Sequence, residues 1–237
     1  MKYDIDGEIL DVKIGAAMSV PRLGFMDNFF CAFQALMPLH IGLRKHTGAF
    51  WGQCLTRTIE EWISEDADWI LTIDYDTIFT RDDIHKLITL IHKYPEADAI
   101  APIQTHRMKN TPLMTMRGDD GFNKAEVTYD TFAPDITQIA TAHFGCVLLR
   151  VDAIKKLSKP WFLGTPDEEG RWGDNKVDDD IFFWRNWEAS GNTLYQANRV
   201  PVGHAELMIR WPDERLGMVL QHPSEFYDKG KPDEVWK

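Results

Sequence analysis

The sequence predicts an α/β domain built on a mixed, mostly parallel sheet flanked by helices. Three observations carry that expectation. Strand-like apolar runs alternate with segments of helical period along most of the chain. One run, Ala67-Asp68-Trp69-Ile70-Leu71-Thr72-Ile73, is long and apolar enough for a parallel strand buried on both faces. Directly after it comes Asp74-Tyr75-Asp76, so carboxylates stand beyond the carboxyl end of a strand, where open α/β sheets bind their ligands.

The elements follow in order. Residues 12–20 are apolar and end at Pro21, which reads as a first strand. Phe29, Phe33 and Leu36 recur at helical spacing and predict a helix over 26–36 with that face inward. Residues 40–43 suggest a short second strand. Trp51, Leu55, Ile59 and Trp62 make one stripe of a helix over 51–64. Thr80 and Asp83 form a near capping box ahead of the Ile84, Leu87, Ile88 and Ile91 stripe, predicting a helix over 81–93 that Pro95 stops. Residues 99–103 are the next strand. Residues 104–135 are polar, carry Gly, Pro, Asn and Asp, and include Met108, Met114 and Met116. So long an excursion suggests a substrate-facing loop.

A strand over 139–149, a short helix capped by Asp152, and a loop over 161–176 come next. A helix over 179–190 then ends at Gly191. Short strands over 193–195 and 199–202 lead to Gly203-His204, and the Pro- and charge-rich stretch from Pro212 reads as a tail.

The chain has 237 residues, and 26 Lys+Arg against 37 Asp+Glu give a formal net charge of −11. Length favours one domain over 1–237. The acidic balance opposes a coat for duplex DNA and suits a divalent cation that bridges protein to phosphate. No apolar run approaches a membrane span, and the first ten residues lack the apolar core of a secretory signal, so a cytoplasmic protein is expected. Three widely spaced cysteines, Cys31, Cys54 and Cys146, read as small buried hydrophobes rather than a disulfide framework.

Three clusters can carry chemistry. Asp74 and Asp76 can hold a hard cation or a ribose hydroxyl, although Asp is also common in a solvated turn. Asp178-Asp179-Asp180 opens an aromatic helix. Acidic residues suit a helix N-terminus, but three exceed what a cap needs, and their repulsion can raise one pKa toward that of a general base. His204 can complete a cation site, or it can be an ordinary structural histidine. Arg57 can meet a phosphate or remain a solvated helix charge. His106 and Arg107 open the long loop, and Trp161, Trp172 and Trp211 can stack on a sugar or base or fill the core.

The order of these motifs resembles the GT-A fold glycosyltransferases, family-2-like. The segment Asp178-Asp179-Asp180-Ile181-Phe182-Phe183-Trp184-Arg185 carries that family's spacing of acidic pair, aromatic and Arg, and the likeness runs from about residue 12 to 204. The resemblance implies a Rossmann-like GT-A domain that is a nucleotide-sugar-dependent, hexosyltransferase-type enzyme. Residues 1–103 would be the nucleotide-sugar-binding half, 104–211 the acceptor and catalytic half, and 212–237 the tail. It implies Mn2+ or Mg2+ on Asp76 and His204, and on Asp74 directly or through water. Val20, Pro21, Arg57 and Tyr75 would belong to the donor site, with Val20 and Pro21 along the base.

In the same reading Asp179, beside Asp180, would deprotonate the acceptor hydroxyl. Residues 41–46 offer no counterpart of the family's base-reading Asp, so the donor stays open between UDP- and GDP-sugars. The acceptor also stays open: a carbohydrate, a lipid-linked sugar, a protein or a modified nucleobase. Two other readings share the motifs. One is a haloacid-dehalogenase-like phosphatase using Asp74 and Asp76, with Gly173-Asp174-Asn175-Lys176-Val177-Asp178 as its later acidic motif. The other is a nucleotide or carbohydrate binder without catalysis.

Overall fold

The computed structural model describes residues 1–20, 22–106, 111–117, 127–173, 175–213, 215 and 217–235. They form two compact units, Met1–His204 and Ala205–Lys237. The first is organised by a seven-stranded sheet. Its strands are β1 (Ile14–Ser19), β2 (Gly42–His46), β3 (Trp69–Asp74), β4 (Ala99–Ile103), β5 (Ile136–Gln138), β6 (Cys146–Arg150) and β7 (Leu194–Pro201). Their order across the sheet is β2-β1-β3-β6-β4-β7-β5. β1 runs parallel to β2 and β3, and β7 runs parallel to β4. β6 lies antiparallel between β3 and β4, and β5 closes the edge antiparallel to β7. The mixed, mostly parallel sheet expected from the sequence is therefore present.

Side chains alternate across the strands and feed two cores. On one face Ile14, Ala16 and Met18 of β1, with Leu71 and Ile73 of β3, meet α1 (Met26–Leu36) and α3 (Arg81–Lys93). On the other face Ala17, Ile70, Val147 and Leu149 meet α2 (Trp51–Ser64) and the aromatic residues Phe183, Trp184 and Trp187. The small residues of β1 let a helix come close. A Cβ on Gly15 would lie 2.1 Å from the Trp62 ring, whose Nε1 donates to Ala16 O at 2.9 Å. The Thr80–Asp83 capping box closes the start of α3 reciprocally, as its spacing predicts.

Several elements differ from the sequence expectation. In α1 the buried residues are Asn28, Ala32, Ala35 and Leu36, while Phe29 and Phe33 are about half exposed. Two alanines bring this helix close to the sheet, which turns the phenyl rings outward. Residues 139–149 are not one strand. Thr141–Ala142 pairs with Met114–Thr115 of the excursion, and the sheet strand begins only at Cys146. The edge strand β5 starts where the excursion was expected to have just ended. Asp152 lies in the first turn of α4 (Val151–Ile154), whose N-cap is Arg150. The two short strands expected over 193–202 are the single strand β7.

The second unit is a hairpin, Ile209–Pro212 with Met218–Gln221, followed by a short helix over Pro223–Lys229. Trp211 anchors it by donating to Gln221 Oε1 at 2.9 Å and packing on Phe226. The stretch from Pro212 thus carries structure of its own. Cys54 and Cys146 are buried as expected, whereas Cys31 is only partly buried; all three thiols are free. Among the described residues no helix is long and apolar enough to cross a membrane.

Candidate functional site

A cavity of about 500 Å³ opens beside the end of β3, lined in part by Trp51, Asp74, Gln104, His143, Asp178, Asp179, Asp180 and His204. Asp74 ends β3 and lies in register beside Ser19 of β1. The Ser19 hydroxyl donates to Asp74 Oδ1, and Trp51 Nε1 donates to the same oxygen at 2.8 Å. Burial pushes the Asp74 carboxyl above its ordinary range, and the neighbouring Asp76 adds to this, while those two hydrogen bonds pull the other way.

The turn after β3 is held by a side chain from α1. Asn28 Nδ2 donates to Asp74 O at 2.9 Å and to Thr77 O at 2.6 Å. These bonds span the turn that carries the buried Asp76. The two-residue strand Gly203–His204 then pairs with Thr77–Ile78, which brings His204 across from Thr77. His204 Nε2 stands 3.4 Å from Asp76 Oδ2, and its Nδ1 lies 3.1 Å from Thr105 O. A carbonyl can only accept, so that partner assigns the proton to Nδ1 and turns Nε2 toward the carboxylate. A lone pair facing a carboxylate is repulsive unless a proton or a cation lies between them. A second proton on the ring makes the pair an ion pair, and a divalent ion held between the two groups would meet the same need.

Asp74 turns its Oδ1 to Ser19 and Trp51. Among the described residues no group of three His, Cys, Asp or Glu is arranged to hold a metal. His204 lines the cavity and the buried Asp76 does not, so a cation on this pair would have to take its remaining oxygens from a bound phosphate and from water.

Opposite this pair is the start of α5 (Asp179–Ala189). Asp178 occupies the N-cap, yet its side chain makes no capping bond and pairs instead with Lys176 at 2.9 Å. A side-chain cap therefore does not account for Asp178, while Asp179 and Asp180 lie in the first turn, where the helix favours acidic residues. Asp180 Oδ1 accepts the Ile181 N–H at 2.8 Å. Burial, with Asp178 and Asp74 nearby, pushes the Asp180 carboxyl up to about 6.

A raised folded-state pKa means that stability is full below the unfolded value near 4 and is lost as pH rises through about 6. Asp180→Asn is therefore expected to stabilise the fold at pH 8 by at most about 3 kcal/mol and to be neutral at pH 4. Denaturant midpoints at the two pH values test this, and an equal effect at both would reject it.

Asp179 sits in a tight cradle. A Cβ on Gly52 would lie 3.0 Å from its Oδ2, and one on Gly164 would lie 2.5 Å from its Oδ1. A side chain at Gly164 would press on the carboxylate, and one at Gly52 would meet Phe162 Cβ at 2.7 Å first.

The sequence reading did not single out Ser19, Asn28, Trp51, Gln104 or His143 for the site. Gln104 donates to Gly203 O at 3.1 Å and steadies the strand that carries His204. His143 accepts the Gly145 N–H at Nδ1 and bonds Pro102 O through Nε2, and burial pushes it down to about 4, so it is a neutral wall. Of the expected donor residues, Tyr75 packs on Phe25 and Val20 on the α1–α3 core, and neither lines the cavity. Arg57 lines a second cavity, and Pro21 and Arg107 lie outside the described residues. Trp161 is buried, whereas Trp172 is exposed.

No known family matches the chain, and no curated protein sequence matches it. Solved structures do share its fold. It is similar to A197 from STIV, with a TM-score of 0.51 and 12% identity over 95% of this chain and 97% of that one. It is also similar to GalNAc-T7 with UDP, GalNAc and Mn2+, with a TM-score of 0.51 and 9% identity over 82% of this chain. That match spans 44% of the GalNAc-T7 chain. At these identities the likeness is one of fold: a mixed α/β unit on a seven-stranded, mostly parallel sheet, compatible with a GT-A-like fold.

Proposed function

We propose that this protein is a metal-dependent glycosyltransferase that moves a sugar from a nucleoside-diphosphate sugar to an acceptor hydroxyl. The observation that carries this reading is the gathering, in one cavity at the carboxyl end of the parallel strands, of Asp74, His204 and the Asp178–Asp180 run. These groups lie up to 130 positions apart in the sequence (204 less 74). The shared fold with GalNAc-T7, whose structure holds UDP, GalNAc and Mn2+, supports the kind of ligand.

Each residue has a task in this reading. Ser19 and Trp51 orient Asp74 toward a ribose hydroxyl or a water, and Asn28 locks the turn that presents Asp76. Asp76 and His204 would hold Mn2+ or Mg2+ together with the donor's diphosphate. Such an ion, when bound, offsets the charge that grows on the departing diphosphate. Asp179 takes the acceptor proton while the hydroxyl oxygen bonds to the anomeric carbon and the carbon–diphosphate bond breaks. Trp51 and Phe144 wall the cavity and limit water, which would otherwise compete as acceptor. A phosphatase would need Asp74 as its nucleophile, but that carboxyl is held by two donors and raised by burial.

A thermal-shift screen of UDP-, GDP-, CMP- and dTDP-sugars, each with and without Mn2+, tests the proposal. A ligand at about 100 times its Kd stabilises by about 2.7 kcal/mol. The expected result is a Mn2+-dependent shift with one nucleotide that Asp76→Asn abolishes. No response to any of the four would reject the reading.

A further inference from the structure

We infer that a second cavity, which shares Asp179 with the first, is the acceptor site and takes a saccharide. This deepens the glycosyltransferase reading and rests on it. The cavity has a volume of about 550 Å³, and Phe50, Gln53, Arg57, Gly164 and Trp172 contribute to its wall. Asp179 is in the linings of both cavities. A hydroxyl held in the second can therefore face a donor held in the first across one carboxylate.

The chemistry of the wall selects the ligand. Trp172 is 63% exposed and Phe50 is 71% exposed, so two large rings face solvent at a concave site instead of filling the core. The Trp172 ring also stands close to the carboxylate. The point where a Cβ on Gly164 would sit is 3.6 Å from Trp172 Cζ3 and 2.5 Å from Asp179 Oδ1. A pyranose has an apolar C–H face that covers an aromatic ring and a rim of hydroxyls that need polar partners. Gln53 and Arg57, both exposed, supply amide and guanidinium groups at that rim.

Aromatic platforms also stack nucleobases. A nucleic-acid acceptor, however, would bring its phosphates against Asp179 in a protein of net charge −11. A saccharide meets no such repulsion, and its hydroxyl is the group Asp179 can deprotonate. In the transfer that O–H proton passes to Asp179, the oxygen bonds to the anomeric carbon, and the nucleoside diphosphate leaves with the bonding pair.

Saturation-transfer NMR on the full chain tests this, with cellobiose, maltose, lactose, diacetylchitobiose and a deoxydinucleotide as probes. The expected result is transfer to at least one disaccharide, with binding about tenfold weaker in Trp172→Ala and in Arg57→Ala. Trp172→Ala should keep its nucleotide-sugar thermal shift. No transfer to any disaccharide, a signal unchanged in Trp172→Ala, or transfer to the dinucleotide in place of the sugars would overturn the inference. If disaccharide binding depends on Trp172 but no nucleotide sugar binds, the glycosyltransferase reading fails and the saccharide site stands.

Discussion

Asp179→Asn is expected to lower sugar transfer by roughly 10²–10⁴-fold, the usual contribution of a positioned general base. Asparagine keeps the size of the side chain, so the cradle between Gly52 and Gly164 stays filled. The amide cannot take the acceptor proton. The nucleotide-dependent thermal shift should survive, because the Asp76–His204 pair is untouched. Nucleotide release from the sugar donor, measured with the acceptor present, gives the turnover. A fall of less than about threefold at unchanged fold stability would remove Asp179 from the role of base. Gly164→Ala is a companion test. Its methyl would meet Oδ1 at 2.5 Å and displace the carboxylate without altering its chemistry, so turnover should fall while the charge remains.

Trp184→Ala carries the largest expected stability cost. Trp184 is 1% exposed, stacks on Phe144 with ring centroids 5.0 Å apart, and meets Phe183 and Trp187 edge-on. Its Nε1 donates to Ala142 O at 2.6 Å, so truncation leaves both a cavity and a buried carbonyl without its donor. Loss of a buried Trp typically costs 3–5 kcal/mol, so a value of about 4 kcal/mol is expected. In a chain of this length that lowers Tm by roughly 8–16 °C. A loss below about 1 kcal/mol would mean that the aromatic cluster repacks freely. Phe144 also lines the first cavity, so the variant should bind the nucleotide sugar less well at temperatures where it is still folded.

The sequence carried the fold further than it carried the site. The bounds of α2 and α3, and of β4, follow the periodicity and capping signals closely, because those signals lie within a turn or two of the residues they order. The inward face of α1 was not legible in the same way. A helical stripe of Phe residues predicts burial, but what decides the face is how near the sheet allows the backbone to come. The two alanines and Asn28 answer that only after folding.

The acidic turn and the acidic helix start were visible as candidate chemistry because each is a dense local cluster. Their partners were not. Ser19, Asn28 and Trp51 reach the Asp74 turn over 23 to 55 positions, and nothing beside them marks the contact. Trp51 looks like one more member of an apolar stripe, yet its indole N–H is spent on a carboxylate. The clearest signal available in the sequence was Asn28 itself, a polar residue in the first turn of a mostly apolar helix.

The antiparallel strand β6 has a consequence for how the chain is made. It fills the slot between β3 and β4, and it lies more than forty residues after β4 (146 less 103 is 43). Until it has been synthesised, β3 and β4 each present an unpaired edge and cannot join across the gap. Residues 1–103 are therefore a poor independent folding unit, with β3 open on one side and β4 on both. The sheet closes only through long-range pairing, which places its assembly among the slower topologies. Nascent chains shorter than about 150 residues should accordingly lean on chaperones more than the finished protein does.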